Sequence, residues 1–169
     1  ILQEARIQRG TIRDRNGEIN DGITIGPAGY VERAYPVPEA APVVGYTSIE
    51  YGTEGVEAIC DTRLRGEVNH TDWERAMDRL LHSQLIGQDV RLTIDADLQV
   101  IAQRRLQGLE GAVVLIDART GDVLVMASSP TFNPGSVAED WGSLRNADDA
   151  PLLNRAAQGL TQPGMILAP

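Results

Sequence analysis

The chain contains no lysine: all 15 of its basic residues are arginine. A guanidinium stays protonated across the usable pH range, so a mechanism that needs a titratable amine as base or Schiff-base former is excluded. Cysteine occurs once, as Cys60, which rules out an internal disulfide and leaves the redox compartment open. No His or Asn is placed to activate Cys60, which reads as a small core residue. The two histidines, His70 and His82, have no carboxylate at ligand spacing and read as surface residues, so no metal or cofactor is expected. Long apolar runs are missing as well. The longest, Ala112–Ile116 and Val123–Ala127, fall far short of the ~20 residues that cross a bilayer. Positive charge is in deficit, with 15 basic groups against 24 acidic ones and a net charge of −9. Spread over the chain, that charge repels phosphate backbones and anionic lipid, so a nucleic-acid partner and a membrane-surface role are not expected.

What remains is an ordinary globular composition, 42% hydrophobic and 23% charged over 169 residues, enough for one domain or for a small domain plus part of another. The stretch Glu4–Ile12 is strand-like, and Asp14-Arg15-Asn16-Gly17 supplies a tight return. Between Asn20 and Pro42 glycine and proline are dense, which predicts loops and short edge strands with little core. Val43–Tyr51 reads as extended, and Val56–Ile59 as a short helix after the turn at Gly52 and Gly55. Thr71-Asp72-Trp73-Glu74 is a capping box that opens a helix ending at Gly87, with Trp73, Ala76, Met77, Leu80, Leu81 and Leu85 on its apolar face. The neighbouring triplet Asn69-His70-Thr71 is assigned to helix capping alone. Asp89–Asp95 alternates like a half-buried strand. Asp95 then caps a helix whose stripe is Leu98, Ala102, Leu106 and Leu109. Gly111–Asp117 and Asp122–Ala127 flank the turn 118–121 as a β-hairpin, apolar on both faces, so both faces are expected to be covered. From Ser128 onward the chain reads as turn-rich without a closing element, and Glu139-Asp140 and Asp148-Asp149 as solvated loop charges.

Five motifs stand in a recognisable order. Arg9-Gly10-Thr11-Ile12-Arg13-Asp14-Arg15-Asn16-Gly17 resembles the RG-x-x-x-DRNG signature that opens the extracytoplasmic part of penicillin-binding proteins. Gly45-Tyr46 through Gly55-Val56-Glu57 is similar to the family's G-x-x-G-[LIV]-E segment. Leu92-Thr93-Ile94-Asp95 with Leu98-Gln99 matches the LTID-x-x-LQ motif at the start of the transpeptidase domain. Gly111–Val114, Thr120–Leu124 and Ser129–Pro134 match its GAVV…TG…S-x-P block, and Asn154-Arg155-Ala156 with Pro163-Gly164 matches NRA…PG. The order and compactness resemble the class B type, monofunctional transpeptidases.

The resemblance implies an α+β fold in which residues 1–88 form a small β-rich pedestal or dimerisation domain and residues 89–169 the start of a transpeptidase domain with an incomplete hairpin sheet. It implies a role in peptidoglycan crosslinking, as a pedestal, dimerisation or docking module. In the family, PG is followed by S-[TS]-[FM]-K, where serine attacks a stem-peptide carbonyl and lysine takes its proton. Here Met165 and Ala168 occupy those positions. A thioether has no proton to lose and a methyl group is no base, so the chain is expected to be no enzyme and to form no penicilloyl adduct. It also ends before the S-x-N and K-T-G motifs. The start at Ile1 rather than Met leads us to expect that a signal or anchor segment was removed upstream, and the resemblance implies an extracytoplasmic location, membrane-associated through an N-terminal anchor absent from this chain. Two origins stay open: a truncated form of a parent with the usual serine and lysine, or a degenerate homologue serving as a binding scaffold. The expected partners are a second copy or other cell-wall synthesis proteins, with the stem peptide engaged only through a complete parent.

The motif residues Arg9, Gly10, Asp14, Arg15, Gly17, Gly55, Glu57, Thr93, Asp95, Gln99, Asn154 and Arg155 are expected to be structural. Arg9 and Glu57 form one network, joined by Asp14. Asp95, Gln99, Asn154 and Arg155 fix the junction between the two domains.

Overall fold

The structure, a computed structural model, describes residues 9–17, 19–25, 31–68 and 87–160. The class is α+β. Four strands form the first sheet in the order β3 (Val31–Ala34), β2 (Ile19–Ile25), β1 (Ile12–Arg13) and β6 (Val90–Arg91). The β1–β2 and β2–β3 pairs are antiparallel and β1–β6 is parallel, so the chain returns to the first sheet after a long excursion. The return between β1 and β2 is the Asn-Gly turn, closed by Gly17 N–H donating to Asp14 O at 3.2 Å.

The segment between Asn20 and Pro42 supplies a short edge strand, β3, as read, but departs from the loop reading elsewhere. It contains the seven-residue β2, paired over four positions with β3, and a 3-10 turn at Pro38–Ala40 that buries Ala40 in the core. The glycines there are compatible with sheet because cross-strand pairing outweighs their weak strand preference. Val43 is likewise helical rather than extended. Pro42 stands in the first turn of helix α1 (Ala41–Val44), where its missing N–H costs nothing. A short hairpin, β4 (Thr47–Ser48) with β5 (Gly52–Thr53), leads to α2 (Val56–Ile59) and α3 (Asp61–Leu64). Gly45 and Gly55 have φ of 78° and 67°, and a Cβ on Gly55 would lie 2.8 Å from Gly45 Cα, so this backbone crossing admits only glycine. The helix expected over Thr71–Leu85, with its capping box, and both histidines lie outside the described residues.

The stretch Asp89–Asp95 is strand only at β6; Ile94 is buried and Asp95 caps α4 (Ala96–Arg105), accepting from Leu98 N–H at 3.2 Å. The stripe expected on α4 is corrected. Leu98 and Leu109 are exposed, while Ala96, Gln99, Gln103 and Leu106 are buried. The hairpin β7 (Gly111–Ile116) and β8 (Val123–Ser129) is antiparallel as read, but among the described residues β8 is much the better buried strand. Val113, Val114, Leu115 and Ile116 of β7 remain 39–53% exposed. The turn-rich reading of the remainder also fails. A 3-10 turn at Pro134–Ser136 opens the ten-residue helix α5 (Val137–Asn146), and α6 (Arg155–Gln158) follows. Glu139 and Asp140 therefore sit in the first turn of α5, where negative charge complements the helix dipole.

Three small cores result. Ile12, Ala40, Val44 and Leu64 pack together, with Cys60, Val90 and Leu92 partly buried against them. Leu106, Val125 and Ala127 form another under α4. Between them Ala41 and Tyr46 pack with Phe132 and Val137, so residues some ninety positions apart share one apolar cluster. Tyr46 meets Phe132 edge-on at 5.9 Å, and Tyr51 stacks on Trp141 at 4.6 Å.

Candidate functional site

The motif residues gather into an ion cluster and a polar seam. In the cluster, Glu57 is fully buried on α2. One carboxylate oxygen takes Arg9 Nη2 at 2.8 Å and the other takes Arg33 Nε at 2.5 Å. Arg9 also reaches Asp61 at 2.6 Å, and Arg33 Nη1 donates to Gly10 O at 2.7 Å. Burial alone would push the Arg9 guanidinium down, but the bond to Asp61 and the attraction of Glu57 prevail and hold it above its ordinary value. Two guanidiniums facing two carboxylates satisfy a charge that could not be buried alone. Arg9 and Glu57 thus meet as the motifs imply. Among the bonds described, Asp14 is not seen to join them, whereas Arg33 and Asp61, which no motif marks, do. Gly10 is tied to the cluster by its own carbonyl, which accepts from Arg33, and its backbone also crosses Gln88, whose carbonyl a Cβ would strike.

Asp14 belongs instead to the seam. Buried at the DRNG turn, its Oδ1 accepts from Asn16 N–H at 2.8 Å and its Oδ2 from Ala96 N–H, the first residue of α4, at 3.2 Å. Arg15 N–H donates to Ile94 O at 2.9 Å, and Arg91 Nε donates back to Arg15 O at 3.1 Å. Thr93 Oγ1 donates to Val123 O at 2.7 Å and Asp95 N–H to Leu124 O at 2.9 Å, tying the same strand end to β8. Beside these bonds Arg15, Arg91, Leu92, Thr93 and Asp122 line an open cleft. At the neighbouring edge Asp89 accepts from Thr11 N–H at 2.8 Å and from Arg13 Nε at 3.0 Å. The Thr11 backbone bond above all holds its carboxyl below the ordinary carboxylate range.

Gln99 and Gln103, one helical turn apart, act on β8 as a neighbouring strand would. Gln99 Oε1 accepts from Met126 N–H at 2.9 Å while its Nε2 donates to Met126 O and Glu39 O, both at 3.1 Å. Gln103 repeats the pattern at Ser128, donating to its carbonyl at 2.7 Å and accepting from its N–H at 3.3 Å. Asn154 caps α6 through Ala156 N–H at 3.0 Å and donates to Pro42 O at 2.6 Å. The Arg155 N–H donates to Ser128 Oγ at 3.0 Å, and its guanidinium reaches Glu110 at 3.0 Å and the 149–150 loop carbonyls. Gln103, Ser128 and Glu39 were not singled out by motif. The signal for Gln103 was its i, i+4 spacing from Gln99 on a helix beside an apolar strand. Met165 and Ala168 lie outside the described residues, and among the described residues no three metal-ligating side chains converge.

Comparison with known proteins places these features. Residues 9–90 match the penicillin binding protein A dimerisation domain, and residues 111–165 the penicillin binding protein transpeptidase domain. The peptidoglycan D,D-transpeptidase MrdA of Acinetobacter baumannii is 38% identical over 132 residues, 73% of this chain and 18% of its own length. The peptidoglycan D,D-transpeptidase PbpA of Mycolicibacterium smegmatis is 30% identical over 97% of this chain and 36% of its own. Among solved structures, penicillin-binding protein A from M. tuberculosis, as its imipenem acyl-enzyme complex, superposes with a TM-score of 0.78 and 28% identity, over 90% of this chain and 38% of that one. The chain therefore spans well under half the length of these relatives.

Proposed function

The chain belongs to the penicillin-binding proteins, as a dimerisation domain followed by part of a transpeptidase domain, and from that premise we propose that it serves peptidoglycan crosslinking as a non-catalytic pedestal. The dimerisation segment runs to residue 88 and the transpeptidase segment from residue 89. The observation that carries this reading is how the motif side chains are used. Arg9, Asp14, Glu57, Thr93, Asp95, Gln99, Asn154 and Arg155 all bond to groups of the chain itself. Of these, Asp14, Asp95, Gln99 and Asn154 brace one segment against the other, and the rest bond within their own segment.

Met165 and Ala168 stand where the family's nucleophile and base stand, so no acyl-enzyme forms on this chain. The stem peptide is met only through a complete parent, on the outer side of the cytoplasmic membrane, with a second copy or other wall-synthesis proteins as partners. Among the described residues no helix is long and apolar enough to cross a membrane. Incubation with excess benzylpenicillin followed by intact-mass spectrometry tests the assignment. The unmodified mass is expected, and a gain of one penicilloyl group contradicts it.

A further inference from the structure

The cleft beside the seam holds charge that the chain itself leaves unpaired. Its lining, Arg15, Arg91, Leu92, Thr93 and Asp122, surrounds about 340 Å³. Arg91 donates to Arg15 O through Nε and Nη2 together, which uses the side-on fork of its guanidinium and leaves the end-on fork, Nη1 with Nη2, for a carboxylate. Among the described residues the Arg15 guanidinium bonds to nothing, and neither arginine has a carboxylate partner. The Asp122 carboxylate likewise accepts from no donor. Thr93 Oγ1 gives its proton to Val123 O, so toward any further group its oxygen is an acceptor. The cleft is not a place kept for another strand. It lies on the β8 side of the hairpin, where Thr93, Asp95, Gln99 and Gln103 already take up backbone groups of Val123, Leu124, Met126 and Ser128.

From this we propose that the cleft binds a short peptide through a carboxylate and a neighbouring ammonium group, the carboxylate on Arg15 and Arg91 and the ammonium on Asp122 and Thr93 Oγ1. The mixture of donors and acceptors carries the choice of ligand. Two guanidiniums by themselves would suit any oxyanion, phosphate included. Asp122 in the same lining, and a chain of net charge −9 around it, oppose a dianion. A carboxylate that brings its own positive group turns that repulsion into a second ion pair. The size of the cleft, at the lower end of the range for small-molecule sites, admits a dipeptide rather than the surface of a folded partner. The proposal rests on the pedestal reading only for the source of the ligand, the stem peptides on which the family acts.

NMR titration of the isotope-labelled 169-residue chain tests this, with alanyl-alanine as the probe in three forms: both ends free, N-acetylated, and as the C-terminal amide. The free dipeptide is expected to bind in the millimolar range and to move the Arg91 Nε–H signal and the amide signals of Arg15, Thr93 and Asp122. Acetylation is expected to weaken binding about two- to fivefold, the worth of one exposed ion pair, and amidation to weaken it further, since two arginines lose their partner. Arg15→Gln breaks no bond among the described residues and is expected to weaken the free dipeptide about two- to fivefold with the fold unchanged. Asp122→Asn is expected to abolish the preference for the free over the acetylated form. Should either variant fail to fold, the ranking of the three probes on the parent chain still decides. Signals that stay still at tens of millimolar dipeptide overturn the proposal. So does inorganic phosphate that binds as well as the free dipeptide, which would make the cleft a simple cation patch. Either failure leaves the pedestal reading intact, whereas a penicilloyl adduct contradicts that reading without touching the cleft.

Discussion

Glu57 is the residue on which the first core depends. Each of its oxygens holds a different arginine, and an amide in its place can accept with one atom while the other presents hydrogens to a guanidinium. Breaking a buried pair from one side costs about 3–5 kcal/mol. At roughly 2–4 °C per kcal/mol for a chain of this size, Glu57→Gln is expected to lower Tm by about 6–20 °C in thermal unfolding. Melting like the parent would show that the cluster carries no such weight. Glu54 presents the opposite sign. Burial raises its carboxyl above the ordinary 4.5. An acid whose folded pKa is raised opposes folding once it ionises, so its penalty is absent below the ordinary value and complete above the raised one. Glu54→Gln is therefore expected to stabilise the chain at neutral pH and to make no difference in acid, as urea unfolding at several pH values will show. At this scale the sequence was legible where motifs concentrate. Arg9 and Glu57 were found because each stands in a strong signature. Arg33 was not, because it lies in a glycine- and proline-rich stretch that reads as loop, and only the β2–β3 pairing aims it at Glu57.

At the scale of elements, α4 decides how the hairpin is held. Counting apolar residues assigns Leu98 and Leu109 to its buried face, yet the helix turns Gln99 and Gln103 inward because β8 offers an unpaired edge that only hydrogen-bonding side chains can satisfy. Gln99→Leu keeps the volume but leaves the Met126 N–H buried without a partner, which is expected to cost about 1–3 kcal/mol in urea unfolding. Gln99→Glu is expected to be worse at neutral pH, since a carboxylate would face the carbonyls of Met126 and Glu39. Protonation restores a donor, so the deficit relative to Gln99→Leu shrinks as pH falls; a pH-independent gap would contradict the ladder. The helix α5 escaped the sequence reading for a related reason. Pro134, Gly135 and Gly142 punctuate it like loop, although Val137, Trp141 and Leu144 repeat at helical spacing and pack with Phe132 and Tyr46. Hairpin β7–β8 and the capped start of α4 were legible because turn chemistry and alternation agree locally. The four-stranded first sheet was not, since its parallel β1–β6 pair joins residues far apart in sequence.

For the molecule as a whole, the dimerisation segment and the transpeptidase segment are bound by contacts of different kinds that share no residue with the ion cluster. Asp14 caps α4, Gln99 joins the 3-10 turn at Pro38–Ala40 to β8, Asn154 reaches Pro42, and Tyr46 and Tyr51 pack with Phe132 and Trp141. These bonds tie the two segments to each other, so the pedestal reading implies one cooperative unit rather than two domains in loose contact. The most direct measurement is hydrogen exchange by mass spectrometry through a urea series, comparing peptides from residues 9–17 and 54–68 with peptides from 111–129, in the parent chain and in Asn154→Ala. Both sets of peptides are expected to lose protection together, and the substitution to weaken both by the same free energy. Contradiction would be a first sheet that keeps full protection while the hairpin opens alone.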